Sequence, residues 1–388
     1  MEKMEFVIKT FQGFEELLAI ECQELGLEEV VIANRAVSCS GDASAMMRLN
    51  YCSRLAVKVL WKVGAYEAGS QDQLYRGAYH LPWEVWLAPT QTFAVEAQAN
   101  QSEFANTMFV ALKVKDAIAD RMRFKFGKRP DVNKEDPFLR VVVHIYKQQA
   151  TILLDTSGVP LFKRGYKTKG YSASVNEVLA AGLIQLSNWD PEKPLFDPFC
   201  GSATLLAEAS LMSRKVPAGY YRNGFAFQRW PLYNKSNWME VVDAANSKIM
   251  DPPAPLFGSD ISESALDVAR ETLEEIGCEE EVTLKKADAT STPPPSEKPG
   301  WIVTNPPYGE RLKPADLNAL YGSFGTHLKH QFTGWEAWIL SGNPEAAKHI
   351  GLKPFLKFNL DNGGIESKLL GYRLFKGDYK TNRVDPSI

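Results

Sequence analysis

The chain has 388 residues, 45% of them apolar and 23% charged, so it has room for two or three packed domains and the make-up of a soluble globular protein. Its formal net charge of −3 provides no global positive field, so any nucleic-acid binding must come from local basic patches. Five scattered cysteines without a Cys-x-x-Cys pair argue against a disulfide framework or zinc site, and no apolar run reaches the roughly 18 residues of a membrane span.

The chain therefore reads as cytoplasmic, with no membrane partner. No metal is expected: the histidines lack a ligand set, and His327 and His330 read as surface residues.

In chain order, residues 5–9 are strand-like and 14–25 carry apolar side chains at helical spacing. Residues 30–34 and 36–40 suggest a hairpin, 42–55 a helix and 56–63 a strand. A strand at 92–97 precedes a long helix at 103–126. Strands at 139–146 and 151–155 are joined by a tight connection. Residues 157–170 form a Gly- and Lys-containing connector.

From about residue 171 the pattern becomes β-α alternation. Helices are expected at 174–186, 204–213, 262–276 and 315–331. Strands fall at 194–199, 256–259, 282–286, 301–304 and 335–340. This predicts a mainly parallel, doubly wound sheet. Near the end, Asn362-Gly363-Gly364 between two strand-like runs marks an antiparallel hairpin at one sheet edge. The acidic stretch 271–281 reads as a solvent-facing helix end, and 291–298 as a Pro-rich surface loop.

The most informative segment is Ile302-Val303-Thr304-Asn305-Pro306-Pro307-Tyr308-Gly309. Both prolines fix φ and lack an N–H, so neither a ladder nor a helix can continue through them. Asn305 Oδ1 and the Pro306 carbonyl form a rigid pair of acceptors, with Tyr308 as a flat wall and Gly309 leaving room for a ring. Such a receptacle fits a planar group bearing an –NH2. An exocyclic amine of a nucleobase is a poor nucleophile. Two acceptors at its hydrogens stabilise the cation formed on attack, which is electrostatic preorganisation without a general base. A Pro-Pro pair that merely ends a strand is the plainer alternative.

A second segment, Asp197-Pro198-Phe199-Cys200-Gly201-Ser202-Ala203-Thr204, runs from a strand through small residues into a helix. Asp197, Asp260, Asp288 and Asn305 each follow an apolar strand, the place where open α/β sheets bind ligands. Asp197 and the turn amides suit a cofactor's amino-acid end. Asp260 suits a ribose diol, or else caps the helix that follows it. Asp288, beside the Ala289 amide, suits an adenine amino group. A dinucleotide dehydrogenase is disfavoured, since Gly201 is the only glycine of its turn.

Together the two segments resemble those of amino-methyltransferases that use S-adenosylmethionine, releasing S-adenosylhomocysteine. Residues 111–120 (ALKVKDAIAD) look like the signature helix of the THUMP RNA-binding domain. Leu154-Asp155-Thr156-Ser157-Gly158 and Lys163-Arg164-Gly165-Tyr166 resemble the junction that follows it, and Asn176–Ala181 the helix before the cofactor strand. In this order the motifs resemble the RlmL-type 23S rRNA guanine-N2 methyltransferases over nearly the whole chain.

The resemblance implies an α/β fold: a ferredoxin-like piece at 1–55, THUMP at 56–156, a linker at 157–170, and a Rossmann-like methyltransferase domain at 171–388. It implies a cofactor set of Asn176, Glu177, Asp197, Pro198, Cys200, Gly201, Ser202, Thr204, Asp260, Ile261, Asp288, Ala289 and Asn305. Base contacts would come from Asn305, Pro306, Pro307 and Tyr308. Two departures stand out. Ala203 occupies a position where the family commonly has Gly, and Ala173-Ser174 replaces the family's Ala-Pro.

Basic residues interleaved with aromatics suit RNA. Lys113, Lys115, Arg121, Arg123, Lys128 and Arg129, and then Lys163, Arg164 and Lys167, form the candidate RNA contacts, the partner being 23S rRNA or a large-subunit assembly intermediate. The alternatives are a tRNA guanine-N2 methyltransferase, a protein-glutamine methyltransferase and a non-catalytic RNA-binding protein.

Overall fold

The computed structural model describes residues 3–167, 175–307 and 314–376. It separates into two compact units: Met1–Thr10 with Glu15–Lys163 and Arg222–Ser247, and Phe11–Phe14 with Arg164–Tyr221 and Lys248–Ile388.

The first unit contains β1 (Met4–Lys9), α1 (Glu15–Glu24), β2 (Glu28–Ala33), β3 (Ala36–Gly41), α2 (Ala43–Cys52), β4 (Lys58–Glu67), α3 (Gln71–His80), β5 (Thr92–Asn100), α4 (Thr107–Phe126), β6 (Asp131–Val132), β7 (Leu139–Tyr146) and β8 (Gln149–Asp155). Its strands form one sheet in the order β2-β3-β1-β4-β8-β7-β5-β6. The expected hairpin at β2–β3 is present, with Arg35 at φ 54° in its turn. The long helix starts later than expected. Asn106 caps it by accepting from the Phe109 amide, and Gly127, at φ 69°, ends it.

The second unit contains α5 (Glu177–Leu186), β9 (Leu195–Asp197) and α6 (Thr204–Ser213). The chain then returns to the first unit through α7 (Lys235–Asn246), which was not expected from the sequence. Back in the second unit follow β10 (Leu256–Asp260), α8 (Glu263–Glu275), β11 (Val282–Lys286), β12 (Trp301–Thr304), α9 (Pro314–Gln331), β13 (Glu336–Ser341), α10 (Pro344–Lys348), β14 (Leu356–Asn362) and β15 (Ile365–Arg373). The α7 helix is held within the first unit by α2, where the Tyr51 hydroxyl donates to Asn246 Oδ1 at 2.9 Å and the Tyr51 and Trp238 rings meet edge to face. In the opposite sense, the Phe11–Phe14 segment joins the second unit. A Cβ at Gly182 would lie 2.3 Å from the Phe14 ring, so only glycine admits this segment against α5.

The second sheet has the order β11-β10-β9-β12-β13-β15-β14. The strands from β9 to β13 are parallel, and β15 runs antiparallel to both β13 and β14. This is the expected Rossmann-like sheet with an edge hairpin. Gly363 and Gly364 close the hairpin at φ 63° and 92°, the paired left-handed conformation of a two-residue turn. One face of this sheet packs on α9 and α10 through Ile302, Ala337, Ile339, Tyr321, Phe324, Leu328 and Ile350. Because β9 pairs with β10 on one side and β12 on the other, the connections leave it in opposite directions. That is the switch point at which open α/β sheets form a crevice.

Some readings change. His327 is half-buried, and its ring nitrogen lies 2.7 Å from the Thr292 carbonyl, so it ties α9 to the Pro-rich loop. The acidic stretch is not wholly solvent-facing: Glu281 pairs with Arg214 at 3.3 Å and accepts from Ser210 at 2.8 Å. All five cysteines are free.

Candidate active site

The switch-point crevice is lined by Val175, Asp197, Phe199, Cys200, Gly201, Ser202, Thr204, Leu205 and Asn305. Its volume is about 40 Å³.

Two contacts join the segments singled out in the sequence. Thr304, buried at the end of β12, donates its hydroxyl to Asp197 Oδ1 at 2.6 Å, and the Phe199 amide donates to the same oxygen at 3.1 Å. Asp260 accepts the Gly201 amide at 3.0 Å on one oxygen and the Ser262 amide at 2.9 Å on the other. Thus β9 is tied to β12 on one side and β10 on the other. The sequence reading missed Thr304, although a hydroxyl closing the apolar run Trp301-Ile302-Val303 was a legible signal. The cap of α8 is Ser262, which accepts the Ala265 amide, so the capping alternative for Asp260 is excluded.

Burial pushes the Asp197 carboxyl up to about 7, helped by the Asp260 charge and opposed by the bonds from Thr304 and Phe199. Burial, reinforced by those two carboxylates, also raises the Cys200 thiol, which makes it a poor nucleophile. Gly201 sits at φ 52° with nothing within 4 Å of where a Cβ would be, so ligand atoms could approach its backbone closely. Ala203 also has a positive φ, 59°, and is fully buried. The departure from glycine therefore falls where an L-residue is strained, by about 1–2 kcal/mol.

Asn305 lines the crevice from the end of β12. Its Oδ1 is buried and has no hydrogen-bond partner among the described residues. A buried amide oxygen left unmatched costs about 1–3 kcal/mol, which a ligand N–H would recover. Pro306 is buried and Pro307 exposed, while Tyr308 lies outside the described residues.

Other expected cofactor residues are placed differently. Asn176 caps α5, its Oδ1 accepting the Val178 and Leu179 amides. Glu177 pairs with Lys167 at 3.1 Å. Both hold the helix and neither lines the crevice. The Pro198 carbonyl lies 3.4 Å from the Ser259 hydroxyl. Ile261 is 70% exposed. Asp288 is exposed and lies beyond the end of β11, its carboxylate accepting the Thr290 amide and hydroxyl, while Ala289 is buried in the core.

The basic residues divide in two. Arg164 is buried, 3.4 Å from Glu208 Oε1, and Lys167 is half-buried on Glu177, so neither presents its charge to an RNA backbone here. Arg121 forks onto both oxygens of Glu84, at 2.8 and 2.6 Å, and holds that carboxyl down at about 2. These three are structural ion pairs, a correction that the sequence could not supply. Lys113 lies 5.7 Å from the centre of the Tyr75 ring, and Lys115 pairs with Asp116. Arg123, Lys128, Arg129 and Lys163 are exposed, as are Phe124 and Phe126.

Among the described residues, no helix is long and apolar enough to cross a membrane, and no group of three or more His, Cys, Asp or Glu could hold a metal ion.

Three family models match the sequence: the RlmL ferredoxin-like domain over residues 5–60, the THUMP domain over 68–155, and the RMKL-like methyltransferase domain, UPF0020, over 164–370. The ribosomal RNA large subunit methyltransferase K/L of Psychromonas ingrahamii is 35% identical over 377 residues, which is 96% of this chain and 50% of that protein. The chain thus spans about half the length of that relative. The putative RNA methyltransferase slr0064 of Synechocystis sp. is 33% identical over 94% of this chain and 95% of its own length. Among solved structures, SMU.472, a putative methyltransferase complexed with SAH, superposes with a TM-score of 0.88 at 28% identity, covering 97% of this chain and 100% of that one.

Proposed function

This chain belongs to the family of RMKL-like methyltransferases with RlmL ferredoxin-like and THUMP domains, and on that premise we propose that it methylates the exocyclic N2 of a guanine in large-subunit ribosomal RNA. The reading rests above all on Asn305 Oδ1, a buried acceptor at the end of β12 with no partner among the described residues, beside the Asp197–Thr204 turn. S-adenosylmethionine, when bound, would supply an electrophilic methyl group. Asp197 would hold the cofactor's ammonium, the Gly201 turn its amino-acid end, and Asp260, which holds the Gly201 amide, its ribose hydroxyls.

Asn305 Oδ1 accepts one hydrogen of the target amine. It does not titrate, so it stabilises the developing cation by position rather than by taking the proton. In this reading Pro306 offers the second acceptor and Tyr308 the stacking surface. Exposed Arg123, Lys128 and Arg129, with Phe124 and Phe126 beside them in the chain, and exposed Lys163 supply RNA-facing charge in the first unit.

The test is transfer of labelled methyl groups to ribosomal RNA and, separately, tRNA from a strain lacking the gene, with product nucleosides resolved by mass. N2-methylguanosine in ribosomal RNA is the expected product. The same nucleoside confined to tRNA would replace the substrate, and any other nucleoside would sink the guanine-N2 assignment.

Asp197 gives a pH signature. Its folded value, about 7, lies above the ordinary 3.8, so its contribution to stability is complete below the ordinary value and disappears as pH rises through about 7. Binding of an ammonium favours the ionised carboxyl and has the opposite slope. S-adenosylhomocysteine should bind about tenfold more weakly at pH 6 than at pH 8. Calorimetry across that range checks this, and Asp197→Asn should flatten the profile. An unaltered profile in that variant would remove Asp197 from the ammonium site.

A further inference from the structure

A second, larger cavity lies in the same unit, at the outer edge of its sheet. In β14 and β15, Asn359 pairs with Lys368 and Lys357 with Leu370, so Lys357, Asn359, Lys368 and Leu370 share one face. The α10 helix and the turn after it face this surface with Ala347 and Leu352. The cavity volume is about 960 Å³, and its lining includes the buried Leu370 and Tyr372. That is within the size range of small-ligand sites, and its lining is about equally polar and apolar.

Charge and position narrow the ligand. Lys357 and Lys368 are exposed and make no ion pair among the described residues, unlike Lys348, which pairs with Glu345 at 2.8 Å. Thr304 pairs with Ile339 across β12 and β13, so Ser341, which lines the cavity, lies two residues further along the sheet edge that carries Asn305. The cavity therefore reaches the same carboxyl edge of the sheet as the candidate active site. Asp361, whose carboxylate accepts the Gly364 amide, and Glu366 place negative charge at the hairpin tip, so an anionic strand is confined to the lysine end.

We propose that this cavity seats a nucleotide next to the target base in single-stranded RNA. Its base lies against Ala347 and Leu352, its phosphate between Lys357 and Lys368, and Asn359 meets its base edge. The inference rests on the RNA-methyltransferase reading and extends it to substrate positioning.

The test uses the full chain with both lysines changed, Lys357→Ala with Lys368→Ala. Fluorescence anisotropy with a labelled single-stranded ribosomal RNA fragment should show about tenfold weaker binding at physiological salt. The slope of log affinity against log salt should fall by about 0.7, the contribution of the one phosphate seated between the two lysines on a single strand. Affinity for S-adenosylhomocysteine should not change, and the Lys→Arg pair should restore binding. Unchanged RNA affinity and salt slope, with normal binding by the unaltered chain, would overturn this inference alone. Failure of the unaltered chain to bind any RNA would overturn it together with the function proposed above.

Discussion

Replacing Asn305 by alanine should lower methyl transfer about 10²–10³-fold, the usual cost of removing one preorganised acceptor from a reacting centre. The effect should fall on the chemical step. Asn305 Oδ1 makes no hydrogen bond among the described residues, so its removal costs no hydrogen bond to that oxygen. It also relieves an unmatched buried oxygen, and the variant should be at least as stable as the parent. Single-turnover transfer to unmodified ribosomal RNA, with thermal unfolding and S-adenosylhomocysteine affinity measured alongside, separates these effects. A slow, stable, cofactor-competent variant is the expected result. Asn305→Asp should be slow for a different reason: it would add a second carboxyl to the crevice that Asp197 already lines. Full activity in Asn305→Ala would mean that the amine is held elsewhere.

The second unit was largely legible in the sequence, because its strands are short apolar runs that end in polar residues. Thr304-Asn305 and Asp197 show this, and Asn362-Gly363-Gly364 dictated the edge hairpin through two positive φ angles. Asp288 shows the limit: the chain continues past β11 before reaching it, so a position near a strand end did not become a position on it. The α7 helix was missed because only Val241 of its residues is buried, which leaves little apolar periodicity to read. Its Asn234 cap was the available signal. Charge was the least legible property. Lys163 and Arg164 are adjacent in sequence, yet one is exposed and the other buried, because burial depends on a carboxylate 44 positions away.

That buried pair sets the largest expected effect on stability. Arg164 and Glu208 have side-chain exposures of 2% and 0%, and the Tyr166 hydroxyl donates to the same Glu208 oxygen at 3.0 Å. Glu208 sits on α6, one turn beyond Thr204, so the network anchors the helix whose first turn forms the crevice. Removing one member of a buried pair leaves the other charged in an apolar setting, which costs about 3–5 kcal/mol. Arg164→Ala should therefore lower the unfolding free energy of the methyltransferase part by about that amount, measured as a shift in its urea transition. RNA affinity of the protein that remains folded should change little. Changing both partners to apolar residues, Arg164→Met with Glu208→Leu, should recover most of the loss, since no charge is then stranded. A stable Arg164→Ala protein with weakened RNA binding would instead return this arginine to the RNA surface suggested by its neighbours in sequence.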